Sequence, residues 1–131
     1  MRIAQVAPLY ESVPPRFYGG TERIVAFLTE ELVRQGHEVT LFASGDSETS
    51  ATLVPICPKA LRMTERVEDD VAYYTVMLEK VFQMADDFDL IHFHSGYQHF
   101  PLARIHQRPN LTTLHGRLDL PGLVPLFEEY T

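Results

Sequence analysis

The stretch Pro8–Leu32, PLYESVPPRFYGGTERIVAFLTEEL, decides how this chain folds, because it joins the first strand to the first long helix. Before it, Ile3–Ala7 is a short apolar run stopped by a proline, the pattern of a buried parallel strand. After the glycines, Ile24, Phe27, Leu28 and Leu32 recur at helical spacing, with Glu22, Arg23, Glu30, Glu31 and Arg34 mostly on the other side. The apolar set is therefore the expected buried face. Between strand and helix, Gly19 and Gly20 let the backbone turn tightly and leave its N–H groups uncovered by side chains. Thr21 is the expected helix cap, with the positive end of the helix beside it. That arrangement suits an anion, above all a phosphate or diphosphate. The alternative is a glycine pair that only makes a tight helix entry. The long loop carrying Pro14-Pro15 favours function, since long structureless loops in small domains usually serve one. The spacing is neither G-x-G-x-x-G nor GxxxxGK[ST], so a dinucleotide fingerprint and a P-loop are both absent.

Outward from this stretch, the helix is expected to end at Arg34-Gln35 with Gly36 as its left-handed cap. Val39–Ala43 is a second strand, and strand, helix and strand in quick succession imply a parallel pair with a right-handed crossover. Thr52–Pro58 is a weak third strand, placed at an edge by its prolines. After a linker, Lys59 to Arg66, Asp69–Asp87 reads as the longest helix, with Val71, Tyr74, Met77, Leu78, Val81, Phe82 and Ala85 as its apolar stripe. Asp89–Ser95 is the fourth strand, Tyr97–Gln107 a short helix with Pro101 in its first turn, and Leu111–His115 the fifth strand. A polar segment, Arg117–Pro121, precedes a last helical stretch, Leu123–Tyr130. The fold class is α/β: a Rossmann-like, doubly wound parallel sheet in a single domain, with strand order 3-2-1-4-5.

Composition bounds the function. The chain has 131 residues and a formal net charge of −7, which argue for one domain and against nucleic acid or an anionic membrane as main partner. The single cysteine, Cys57, excludes an internal disulfide and suits a reducing compartment. The chain enters a strand at once, without a charged leader or a long apolar segment, so neither a signal peptide nor a membrane span is expected. A cytoplasmic location is the expectation.

In a parallel α/β sheet, ligands gather beyond the carboxyl ends of the strands. The Gly19-Gly20 loop, His94-Ser95 and His115-Gly116 all fall at such ends. His92 and His94 are two apart on a strand and share a face. With His115 they form a candidate metal set, weakened because no carboxylate or cysteine at ligand spacing accompanies them. The plainer reading makes His92 a buried, hydrogen-bonded residue and turns His94 to the cleft. His115 is expected at the cleft rim, where an imidazole can donate to a hydroxyl or stabilise developing charge; a structural role is the alternative. Neither Ser44-Gly45 nor Ser95-Gly96 lies in the G-x-S-x-G elbow of a serine nucleophile. His37, His99 and His106 read as surface or packing residues.

The blocks YGGTERIVAFLTEELVRQGHEVTLFASGDS, DLIHFHS and LTTLHG resemble the N-terminal domain of family-4 retaining glycosyltransferases with the GT-B fold, over most of the chain. The resemblance implies transfer of a sugar from a nucleotide diphosphate sugar to an acceptor, a sugar or small molecule, with retention of configuration. It implies two Rossmann-like domains across a cleft, the N-terminal one binding the acceptor and the C-terminal one the nucleotide sugar. By this resemblance Gly19, Gly20 and Thr21 approach the donor diphosphate, His115 contacts the transferred sugar as the catalytic residue, and His94, Ser95 and Gly116 line the acceptor site. No metal or other cofactor is implied. The family's E-x7-E motif belongs to a second domain that these residues do not resemble. The chain therefore reads as an N-terminal half, inactive alone, with an exposed sheet edge that invites self-association. Two other readings stand beside it: a sugar- or nucleotide-binding module without catalysis, and a histidine-rich metal-dependent hydrolase.

Overall fold

In the computed structural model, which describes residues 1–130, Arg2–Val6 (β1) is the central strand of a five-stranded sheet. Gly20–Arg34 (α1) leads to Glu38–Ala43 (β2), and Thr52–Pro55 (β3) forms one edge. Asp70–Gln83 (α2) precedes Leu90–Phe93 (β4), and Phe100–His106 (α3) precedes Asn110–Thr112 (β5) at the other edge. A 3-10 turn, Pro121–Leu123, opens into Val124–Glu129 (α4). Every pairing is parallel and the order is β3-β2-β1-β4-β5, as expected from the sequence. Among the described residues no helix is long and apolar enough to cross a membrane.

Strand alternation divides the side chains between two layers. On one face Ala4, Val6, Phe42, Ile91 and Phe93 pack against Met77, Val81 and Phe82 of α2. On the other, Ala7, Leu41 and Ala43 pack against Val25 and Ala26 of α1. Burying a side chain such as Phe42 or Phe93 contributes roughly 1.5–3 kcal/mol, so the two layers hold β1 and β4 firmly and fix the loops at their ends.

The buried face of α1 differs from expectation. Glu22, Val25, Ala26 and Thr29 face inward, while Ile24 is 51% and Phe27 66% exposed. Ile24 and Phe27 are the large apolar residues of α1, but side-chain size alone does not decide which side of a helix meets the sheet. Small side chains on the inner stripe let α1 lie close to Ala7, Leu41 and Ala43. In α2, Asp69 is the cap, accepting from the Ala72 N–H, and Met77, Leu78, Val81 and Phe82 are buried. That helix is shorter than expected, ending at Gln83 before a separate 3-10 turn at Ala85–Asp87. β3 stops at Pro55 and β5 at Thr112, so both strands are also shorter, and His115 lies in the loop beyond β5. Gly36 takes the left-handed conformation after α1, at φ +88°, as expected. The linker carries a 3-10 turn, Leu61–Met63, which brings Arg62 to Glu11.

Candidate functional site

The carboxyl ends of β1, β4 and β5 meet in one place. The His94 N–H donates to the Val6 carbonyl at 2.9 Å, and the Thr113 N–H donates to the Phe93 carbonyl at 2.9 Å. These bonds carry the strand register into the loops, so the residues after each strand face a common region.

The glycine loop differs from expectation in detail. Gly19, at φ 148° and ψ 75°, is the cap residue of α1, with no side chain capping the helix; Thr21 lies inside the first turn. A Cβ on Gly19 would stand 2.8 Å from Pro15 Cβ and 3.0 Å from Glu22 Oε2. Gly20 has open space around its Cβ position and no positive φ. The demand for glycine thus sits at Gly19 alone.

Three cavities surround the loop ends. One of about 530 Å³ is lined by Glu11, Gly19, Gly20, Thr21, Arg62 and His115, among others. A second, of about 330 Å³, includes Thr21, His94, Ser95, His115, Gly116 and Phe127 in its lining. Pro8, Thr21 and His115 belong to both. The third, of about 610 Å³, shares Ser95 with the second and Tyr10 with the first, and adds Asp70, Tyr74 and Gln98. All the expected site residues, Gly19, Gly20, Thr21, His94, Ser95, His115 and Gly116, therefore line two adjoining cavities.

Charge in the first cavity is mixed, which sequence reasoning missed. Glu11 and Glu22 are both buried. Burial raises the Glu22 carboxyl pKa, its own backbone N–H lowers it, and the nearby Glu11 raises it further. Glu11 pairs with Arg62, a residue of the stretch that the sequence marks only as a linker. An anion here meets the helix end and Arg62 on one hand and two carboxylates on the other. In the third cavity the Tyr10 hydroxyl donates to Asp70 Oδ2 at 2.5 Å, and Tyr74 Oη accepts from the Leu9 N–H at 3.0 Å. Burial pushes the Tyr74 phenol up to about 12.

The histidines form a row on the α1 side of the sheet. Gln5 pairs in register with His92, so their side chains share a face, and His94 falls on it again two residues on. His92 is buried with Nε2 2.8 Å from Thr113 Oγ1, as its plainer reading expects. His94 is only 3% exposed, deeper than expected for a cleft residue. Its Nε2 lies 2.9 Å from Gln5 Oε1 and its Nδ1 lies 2.9 Å from His115 Nε2. Burial, aided by His92 and His115, pushes the His94 pKa down to about 3, so the ring is neutral. Burial also lowers His92, with His115 adding to it, and lowers His115. Both nitrogens of His94 are thus occupied within the protein. Among the described residues no group of three His, Cys, Asp or Glu is arranged to hold a metal ion. His99 is a packing residue: buried, stacked on Phe93 with ring centroids 3.7 Å apart, and lowered to about 4 by burial. Besides the histidines themselves, the sequence signal for this network is Gln5, a polar side chain between Ala4 and Val6 of the central strand.

No curated protein shows significant similarity to the chain. Among solved structures, AviGT4, a glycosyltransferase involved in avilamycin A biosynthesis, is similar at 27% identity with a TM-score of 0.48; the match covers 72% of this chain and 26% of that one. The chain therefore corresponds to about a quarter of the length of that relative. The family model described as Glycosyltransferase Family 4 matches residues 18–130, a span that holds the glycine loop and all the site histidines. By that match, the chain belongs to glycosyltransferase family 4.

Proposed function

We propose that this chain is the acceptor-side domain of a retaining, two-domain glycosyltransferase of the GT-B type. A second domain binds the nucleotide diphosphate sugar and completes the cleft. The acceptor hydroxyl bonds to the anomeric carbon, the bond from that carbon to the diphosphate breaks, and the hydroxyl proton leaves with the nucleotide. One observation carries the reading. His115 and Thr21 line both the glycine-loop cavity and the cavity of His94, Ser95 and Gly116, and one imidazole bordering two cavities suits a group set between a diphosphate and an acceptor.

In this arrangement Gly19, Gly20 and Thr21 present the N-terminus of α1 to the diphosphate, a favourable interaction of about 0.3–1 kcal/mol. The carboxylates nearby oppose it less than their number suggests, because Arg62 counters Glu11 and Glu22 takes a proton more readily than usual. His115 contacts the transferred sugar. His94, Ser95 and Gly116 border the acceptor. No cofactor is required.

Two measurements test this. Alone, the chain offers a helix end and a few polar groups, far below the ~8 kcal/mol or more that enzymatic acceleration requires. Purified residues 1–131 should release no nucleotide from a panel of nucleotide sugars and acceptors. In a protein carrying both domains, His115→Ala should lower turnover roughly 10²-fold through lost positioning of the transferred sugar. Turnover by the isolated chain that disappears on His115→Ala would refute the two-domain reading. Normal turnover in the two-domain His115→Ala variant would refute the role of the histidine.

A further inference from the structure

Among the buried polar side chains, Gln5 lies on the central strand: it is 1% exposed, on the same face as the buried His94. A buried amide costs stability unless it is hydrogen-bonded. Its Oε1 lies 2.9 Å from His94 Nε2, and a carbonyl oxygen only accepts. His94 therefore carries its proton on Nε2. The ring is neutral, so Nδ1 is bare and accepts. Its neighbour at 2.9 Å is His115 Nε2, which must then be the donor. A neutral imidazole has a single N–H, which leaves Nδ1 of His115 bare.

We propose that Gln5 is a positioning residue that acts through His94, fixing His115 as the Nε2–H tautomer and making its Nδ1 a hydrogen-bond acceptor. The consequence is chemical. His115 is exposed and lines both cavities. Its protonated nitrogen is held inward by His94, so the neutral ring receives a hydrogen bond from a ligand hydroxyl rather than giving one. A ligand there must offer an O–H or N–H donor, as the hydroxyls of a sugar do. The same bond holds the orientation of an otherwise exposed ring. This assignment rests on the proposed role of His115 only for its consequence; the tautomer itself is a property of the chain.

Long-range proton–nitrogen correlation spectra of the nitrogen-15-labelled 131-residue chain read each tautomer directly. They are recorded above the usual histidine pKa of about 6.5, where the rings are neutral. The expected result is the Nε2–H form at both His94 and His115. In Gln5→Leu, His94 Nε2–H would face an apolar side chain, and an unpaired buried N–H is costly. The proton should move to Nδ1 of His94 and donate to His115 Nε2, reversing His115 to the Nδ1–H form. An Nδ1–H ring at either histidine in the unaltered chain overturns the proposal. So does a Gln5→Leu chain that folds, by amide dispersion, with its tautomers unchanged. If Gln5→Leu does not fold, the spectrum of the unaltered chain decides alone. The turnover of His115→Ala is a separate measurement, so failure of the catalytic reading leaves this result standing.

Discussion

Replacing Gly19 and Gly20 by alanine, one at a time, separates a backbone requirement from a coincidence of two adjacent glycines. At Gly19 the backbone holds φ 148° and ψ 75°, a region nearly closed to other residues, and strain of this kind costs about 1–3 kcal/mol. The new methyl would also sit 2.8 Å from Pro15 Cβ and 3.2 Å from Glu11 Cγ, both on a buried loop, adding an overpacking cost of about 1–3 kcal/mol. The sum, ~2–6 kcal/mol, is a large part of a typical domain stability of ~5–15 kcal/mol. Gly20 is exposed, in the first turn of α1, with nothing within 4 Å of its Cβ position. Alanine there should be neutral or gain up to ~1 kcal/mol from helix propensity. Urea unfolding of the 131-residue chain measures both. With a slope of ~2 kcal/mol per molar, Gly19→Ala should lower the midpoint by ~1–3 M, and Gly20→Ala should leave it level or raise it slightly. Equal losses at the two positions, or a loss below ~1 kcal/mol at Gly19, would refute the assignment of the turn to Gly19.

Further predictions concern protonation, charge and the helix face. His94 and His99 have folded-state pKa values of about 3 and about 4, both below the unfolded value of about 6.5. The unfolded chain therefore binds more protons between those limits, and stability is full above pH ~6.5 and lost as pH falls through the folded values. A drop from pH 7 to 5 should cost about 2–4 kcal/mol by urea unfolding, and an unchanged midpoint would contradict the neutral buried rings. Arg62→Ala leaves the buried Glu11 without its partner and should destabilise by about 1–3 kcal/mol, a range reduced because the Arg62 side chain is 57% exposed. Adding Glu11→Gln should recover most of the loss, and no recovery would show that the ion pair is not the cause. On α1, Val25→Ala should cost about 1–3 kcal/mol and Phe27→Ala under ~0.5 kcal/mol; the reverse order would restore the face expected from periodicity.

The elements and their order were legible in the sequence because they rest on local rules. Apolar runs bounded by Pro8, Gly45 and Gly96 mark strands, and the alternation of strand and helix implies a parallel sheet whose carboxyl ends collect the site. The positions of Gly19, His94 and His115 at those ends followed from chain order alone. Local pattern could not settle which face of α1 is buried, because the size of Ile24 and Phe27 says nothing about which side packs with Ala7, Leu41 and Ala43. Nor could it find Arg62 and Glu11, which are 51 positions apart and meet only when the linker folds over the first loop. The Gln5–His94–His115 chain is the clearest case. Gln5 and His94 are 89 residues apart, and His94 and His115 are 21 apart. The sequence by itself determined that polar groups stand at the strand ends. Only the tertiary structure decided which donates to which, because hydrogen bonding depends on register between strands and on burial, and neither is a property of any single segment.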